Sequence, residues 1–262
     1  MLAAVESGDK KKLAALIRQD PGFKVNMAVD DGYGFTLLHA ACWGSDDSSA
    51  VIPLLLAHPD IDVNAKDRDG ETPFLWACDG RASCLREMLR DSRVSVNEPD
   101  NGGYTPLWFA AFSGHVDVTK WWIASGREID LGEPGDVDKT DAIGRAKKNG
   151  ETELVALLEN FKSDAAQTRQ AMRVELGLLD ELAAEMFALV VFISDGLLQV
   201  NDTTTTPAAR FFSITRRLPL ELQMIVSHWM VGSPGEIIPS KDSEVAFKSL
   251  AERLLWSSLF TN

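Results

Sequence analysis

DNGGYTPLWFAAFSGHVDVTKWWIASGREID, residues 100–130, decides the fold. It opens on the turn residues Asn101-Gly102-Gly103, followed by Thr105-Pro106. Pro106 suits the first turn of a helix, where its missing N–H leaves nothing unpaired. Leu107, Ala110 and Ala111 then form a face small enough for close packing. Gly114 falls where that helix should stop, at a residue of positive φ. Val116, Val118, Trp121, Trp122 and Ile123 give a second apolar helical face. The stretch reads as tight turn, short helix, turn, second helix and loop. Such a unit cannot bury both apolar sides alone and must stack on copies of itself.

The copies align on an Asp-x-x-Gly-x-Thr opening and a Val-Asn exit. The first, Leu2 to Asn26, lacks the opening and reads as an N-terminal cap, with LAAVESGD as inner helix and KKKLAALIRQ as outer helix. The second starts at Asp31, carries Gly34, Thr36 and LLHAA, and exits at Val63-Asn64. The third starts at Asp67, carries Gly70, Thr72-Pro73 and LWAC, and exits at Val96-Asn97. The fourth is the quoted stretch. The fifth starts at Asp136, with DAIGRAKKNG and ELVALLENF, and ends near Lys162. The starts at 31, 67, 100 and 136 lie 36, 33 and 36 apart. The surplus residues fall in connections, around Ser45 to Ser49 and at Glu133-Pro134-Gly135, where extra length is tolerated.

The set resembles the ankyrin-repeat family over residues 2–162. The period of about 33 residues is that family's. Its Thr-Pro-Leu-His motif survives in part, as Thr36-Leu37-Leu38-His39, Thr72-Pro73-Phe74-Leu75 and Thr105-Pro106-Leu107-Trp108. The resemblance implies an all-α solenoid of helix–turn–helix repeats with short hairpin loops. The departures from the motif imply fewer hydrogen bonds between repeats than in an idealised array.

Residues 163–262 carry no repeat and read as an α-helical C-terminal extension. SDAAQTRQAMRVEL should form a helix ending at Gly177. LLDELAAEMFALVVFISDGLLQV should form a long one, apolar on most sides from Met186 to Leu198. That helix needs cover from the later helices, the fifth repeat or a partner. The fifth repeat's outer helix would otherwise end the array openly, so the extension is expected to act as its C-terminal cap. Asn201 to Pro207 reads as a linker, AARFFSITRRL as a short basic helix, and Gly232 to Ser240 as a loop. Pro219 should start another helix, and Asp242 should cap the last. Leu218-Pro219, Glu221-Leu222 and Ile225 resemble the opening of an F-box, and Leu-Pro-x-x-Leu is equally an ordinary helix start.

The net charge of −13 is spread along the chain: 24 acids against 17 bases through Gly150, and 15 against 9 beyond it. Nucleic-acid binding needs a basic surface, so DNA and RNA are not expected partners. No apolar run is long enough for a membrane span. The N-terminus, MLAAVESGDKKK, has no secretory apolar core, and three cysteines suit a reducing compartment. The expected location is intracellular, in cytoplasm or nucleus.

Cys42 and Cys78 occupy equivalent repeat positions, about 10 Å apart and beyond disulfide reach, so they read as small buried residues. The four histidines are scattered, and no zinc spacing, phosphate loop or nucleophile elbow occurs. No catalytic, cofactor-binding or metal-ligating residue is expected. Asp30, Asp31, Asp67, Asp69, Glu71, Asp100, Asp136 and Asp138 suit turn chemistry and also leave open a partner with a basic face. The family resemblance implies protein binding through hairpin tips and the concave face. Carried onto this sequence, it marks Gly32, Tyr33 and Phe35; Arg68, Asp69 and Glu71; Asn101, Gly102 and Tyr104; and, after the small inner-helix residues, Trp43, Asp79, Phe112 and Lys148. The aromatics among them serve either binding or packing. The expected function is a non-enzymatic protein–protein interaction module, with a ubiquitin-ligase substrate adaptor as the alternative.

Overall fold

A computed structural model of the chain describes residues 1–20, 22–29, 32–132, 140–198, 207–233, 238 and 240–258. Its contacts divide into two units, Met1–Met172 and Arg173–Leu255. The openings placed at Asp31 and Asp136, the insertion at Glu133-Pro134-Gly135, and the 201–206 part of the linker lie outside the described residues.

The first unit is a series of helix pairs: α1 (Leu2–Glu6) with α2 (Lys10–Gln19), α3 (Leu37–Trp43) with α4 (Ile52–Leu56), α5 (Pro73–Ala77) with α6 (Ala82–Leu89), α7 (Pro106–Ser113) with α8 (Val116–Ser125), and α9 (Ala142–Asn149) with α10 (Thr152–Ser163). The inner helices pack in sequence, α1 on α3, α5, α7 and α9 in turn, and α4, α6, α8 and α10 form the outer row. The inner helices after α1 each start on a side-chain cap. Thr36, Thr72, Thr105 and Asp141 accept from the backbone N–H of His39, Leu75, Trp108 and Gly144, satisfying a donor that the helix cannot. Pro73 and Pro106 take the first helical positions, and Gly114 ends α7 at φ 71°. A column of alanines, Ala41, Ala77, Ala110 and Ala146, is fully buried in the inner row. The small side chain lets neighbouring backbones approach closely.

The extra residues of the second repeat fold as a 3-10 helix, Asp46–Val51, leading into α4. Its Ser48 hydroxyl is buried and donates to the Ala41 carbonyl at 2.6 Å. The turn rests on Gly8, where a Cβ would stand 2.1 Å from the Asp47 carbonyl oxygen.

The Val-Asn exits form a ladder. Asn26 donates to the Asp60 carbonyl (2.7 Å) and accepts from Asp62 N–H (2.9 Å). Asn64 does the same to Arg93 (2.9 Å) and Ser95 (2.7 Å), and Asn97 to Glu128 (3.5 Å) and Asp130 (3.0 Å). Each amide clasps both faces of the next exit, a fit that needs one donor and one acceptor on the same planar group.

After α10 comes α11 (Ala165–Glu175), whose Arg169 guanidinium lies over the Phe161 ring at 5.4 Å. The second unit holds α12 (Leu178–Ser194), α13 (Pro207–Thr215), α14 (Leu220–Val231) and α15 (Ser240–Ser258). The apolar helix α12 is covered by later helices: Ala183, Ala184, Phe187 and Ala188 pack with Ile238 and Ala246, and Met224, Val231, Phe247 and Leu250 close around them. Asp242 falls inside the first turn of α15 rather than at its cap, because the helix begins at Ser240. Helix α14 buries the polar Gln223, Ser227 and His228 and exposes Leu222, Trp229 and Met230, the reverse of an ordinary surface helix.

Candidate protein-binding face

The hairpin tips are built by the opening aspartates. Asp67 Oδ1 accepts from the N–H groups of Asp69 (3.0 Å) and Glu71 (2.9 Å), and Asp100 Oδ1 from Gly102 and Tyr104 (both 2.8 Å). A short acceptor two to four residues back is what closes such a turn. Successive tips are stitched together: Arg68 N–H donates to the Tyr33 carbonyl (2.7 Å), and Asn101 reaches Asp69 and Arg68 carbonyls through its backbone and side chain (3.0 and 3.1 Å). Asn101, marked as a contact residue, is therefore already engaged in joining hairpins. His39 links two repeats through Nε2 and the Glu71 carbonyl at 3.1 Å; at its equivalent positions, Leu75 has no polar side-chain atom and Trp108 Nε1 is buried without a partner.

The inner helices place two aromatic clusters beside these tips. Phe35, Trp43 and Trp76 meet edge to face, with centroids 5.4 to 6.3 Å apart. Tyr104, Trp108 and Phe112 run one above the next along α7, at 4.2 and 5.4 Å. Arg145 of α9 lies over Phe112 at 4.3 Å and over Trp108 at 5.1 Å, within cation–π range. Tyr33, Trp43 and Phe112 are exposed, at 62%, 56% and 47%. Phe35 and Tyr104 are half-buried, so packing claims part of both. Arg68, Asp69 and Asp79 are exposed. Trp76, Trp108 and Arg145 lie beside the same tips and are not among the residues that the family pattern marks. The repeat register could have found Trp76 and Arg145, which both precede a buried column alanine.

Between the clusters the surface is acidic. Asp67 Oδ2 accepts from Trp76 Nε1 at 3.0 Å, and Asp79 Oδ1 accepts from the Ser113 hydroxyl at 3.0 Å and faces His115 Nε2 at 3.5 Å. Burial pushes the Glu71 carboxyl up to about 7, and the charges of Asp67, Asp100, Asp69 and Asp79 push it the same way. The folded chain thus favours protonated Glu71. Its stabilising contribution is full below the unfolded carboxyl pKa, about 4.5, and is lost as pH rises through about 7. Glu71→Gln keeps the neutral shape, so it should melt higher than the parent at about pH 8 and equal it near pH 4. A difference that ignores pH would remove the acidic cluster as its cause.

All three cysteines are buried and outside any disulfide. Among the described residues, no group of three or more His, Cys, Asp or Glu could hold a metal ion. No described helix is long and apolar enough to cross a membrane.

A family model of ankyrin repeats, in three copies, matches residues 45–133. Those residues are ankyrin repeats. The helix pairs on either side extend the same pattern. SMC5-SMC6 complex localization factor protein 1 is 29% identical over 161 residues in Bos taurus, covering 59% of this chain and 15% of the relative. In Homo sapiens it is 27% identical over 194 residues, covering 68% and 18%. Rabankyrin-5 of Homo sapiens is 42% identical over 55 residues, covering 21% of the chain and 4% of the relative. The chain thus spans less than a fifth of the length of these curated relatives.

Proposed function

We propose that the chain is a non-enzymatic interaction module whose ankyrin array binds a protein partner with a basic face. Contact is made through the inner-helix side, concave in this family, and the hairpin tips. The observation that carries the reading is the pair of exposed aromatics, Trp43 and Phe112, set on either side of the Asp79 and Glu71 carboxylates. Aromatic anchors with charge at their side are what binding surfaces concentrate. The array, residues 1–162, is the binding body. The extension, residues 163–262, begins with α11, which covers Phe161 at the array's end. The two SMC5-SMC6 relatives are named as localization factors, and tethering a protein complex is the matching role here. An intracellular location, in cytoplasm or nucleus, agrees with three buried thiols outside any disulfide.

The test is binding to a partner recovered by proximity labelling of the full chain. Trp43→Ala and Phe112→Ala should each weaken it by about 2 kcal/mol with little change in melting. Tyr104→Ala should lose stability as well, because its ring is half-buried on Trp108. If all three variants unfold and none binds selectively worse, these aromatics are packing residues only.

A second reading concerns α14. It begins after the F-box-like Leu218-Pro219 and turns Leu222, Trp229 and Met230 to solvent, the kind of face an adaptor offers to a ligase linker subunit. Absence of a cullin or its linker among full-chain partners would end it.

A further inference from the structure

The array sets its chemistry in a fixed order along the inner-helix side. At two junctions, the residue two after one column alanine meets the residue just before the next. Between the second and third repeats these are Trp43 and Trp76, 6.3 Å apart, with Phe35 against both. Between the fourth and fifth they are Phe112 and Arg145, 4.3 Å apart. At the junction between those two, the equivalent residues are Asp79 and Phe109, and Asp79 is exposed. The order is therefore aromatic, acidic, aromatic, one junction each.

We propose that this face takes an extended segment of the partner protein in which one Lys or Arg is flanked on both sides, about three residues away, by an apolar or aromatic residue. The inference rests on the binding reading above and gives it a register. Neighbouring helices pack about 8–10 Å apart, and an extended chain advances about 3.3 Å per residue, so one junction corresponds to about three residues. Charge fixes which position is basic. Asp79 with Glu71, Asp67 and Asp100 favours a cation at the centre. Arg145 already covers the rings of Trp108 and Phe112 and opposes a second cation at that end. Trp43 and Trp76 offer ring edges and faces at the other. An arriving cation also draws Glu71 to its carboxylate, so binding should strengthen as pH rises through about 7.

Panning a random twelve-residue display library on the full chain, with the folded Trp43→Ala/Phe112→Ala double variant as counter-selection, tests this. The expected result is enrichment of peptides with that spacing. Asp79→Asn should weaken those peptides about tenfold or more. Peptides that prefer the parent chain but show no fixed spacing would overturn the register and leave the inner-helix face as the binding surface. Peptides that bind parent and double variant equally would overturn both. If the double variant does not fold, Asp79→Asn alone serves: no loss for the enriched peptides rejects the central cation.

Discussion

Ala110→Asp should cost on the order of 4 kcal/mol, close to the whole stability of an ordinary domain. Ala110 is fully buried in the alanine column, between the helices of neighbouring repeats. An aspartate there adds volume where backbones approach closely and takes a carboxylate out of water. Either the charge is buried unpaired, or the side chain takes up a proton and the helices move apart. Ala110→Ser is the control. Its hydroxyl can donate back to a carbonyl of its own helix, so it should cost much less. Chemical denaturation of the three proteins reads the order directly. Equal stabilities for Ala110→Asp and the parent would mean that the helices are in another register.

The second large effect is at Trp122, the biggest fully buried side chain. Its ring meets Phe74 of the preceding repeat edge to face, at 5.0 Å and 84°. Trp122→Ala should cost about 3–5 kcal/mol, from lost burial and the cavity left behind. Trp122→Phe should cost far less than its lost volume implies. The indole Nε1 is buried with no hydrogen-bond partner, and removing an unsatisfied donor recovers its desolvation cost. If Trp122→Phe and Trp122→Ala melt alike, the ring's hydrogen is bonded in solution after all.

Much of this was legible in the sequence because the repeat is a local device. Thr-Pro at 72–73 and 105–106 carries its own cap and first turn, and Gly114 its own stop. The Val-Asn exits could be located but not explained. Their purpose appears only when Asn64 is seen to bond residues about thirty positions away, at Arg93 and Ser95. The same holds for the candidate face. Trp43, Asp79 and Phe112 follow from one repeat position, whereas Trp76 and Arg145 come from another position on the next helix. Aligning the copies shows Trp76 and Arg145 to be equivalent positions, but not that each meets the residue two after the preceding column alanine. In the extension, α12 announced its need for cover by being apolar on most sides. Which helices supply it depended on long-range contacts with α14 and α15 that carry no periodic signal.

The asparagine ladder also governs how the array would respond to a pulling force. Each clasp joins one exit only to the next, and no residue serves two clasps. Asparagine is not the whole of each rung. Arg93 donates to the Leu56 carbonyl beside the Asn64 clasp, and Arg127 donates to the Leu89, Asp91 and Val94 carbonyls beside the Asn97 clasp. Opening a junction under tension therefore releases an asparagine and an arginine together, so extension would proceed in steps of one repeat.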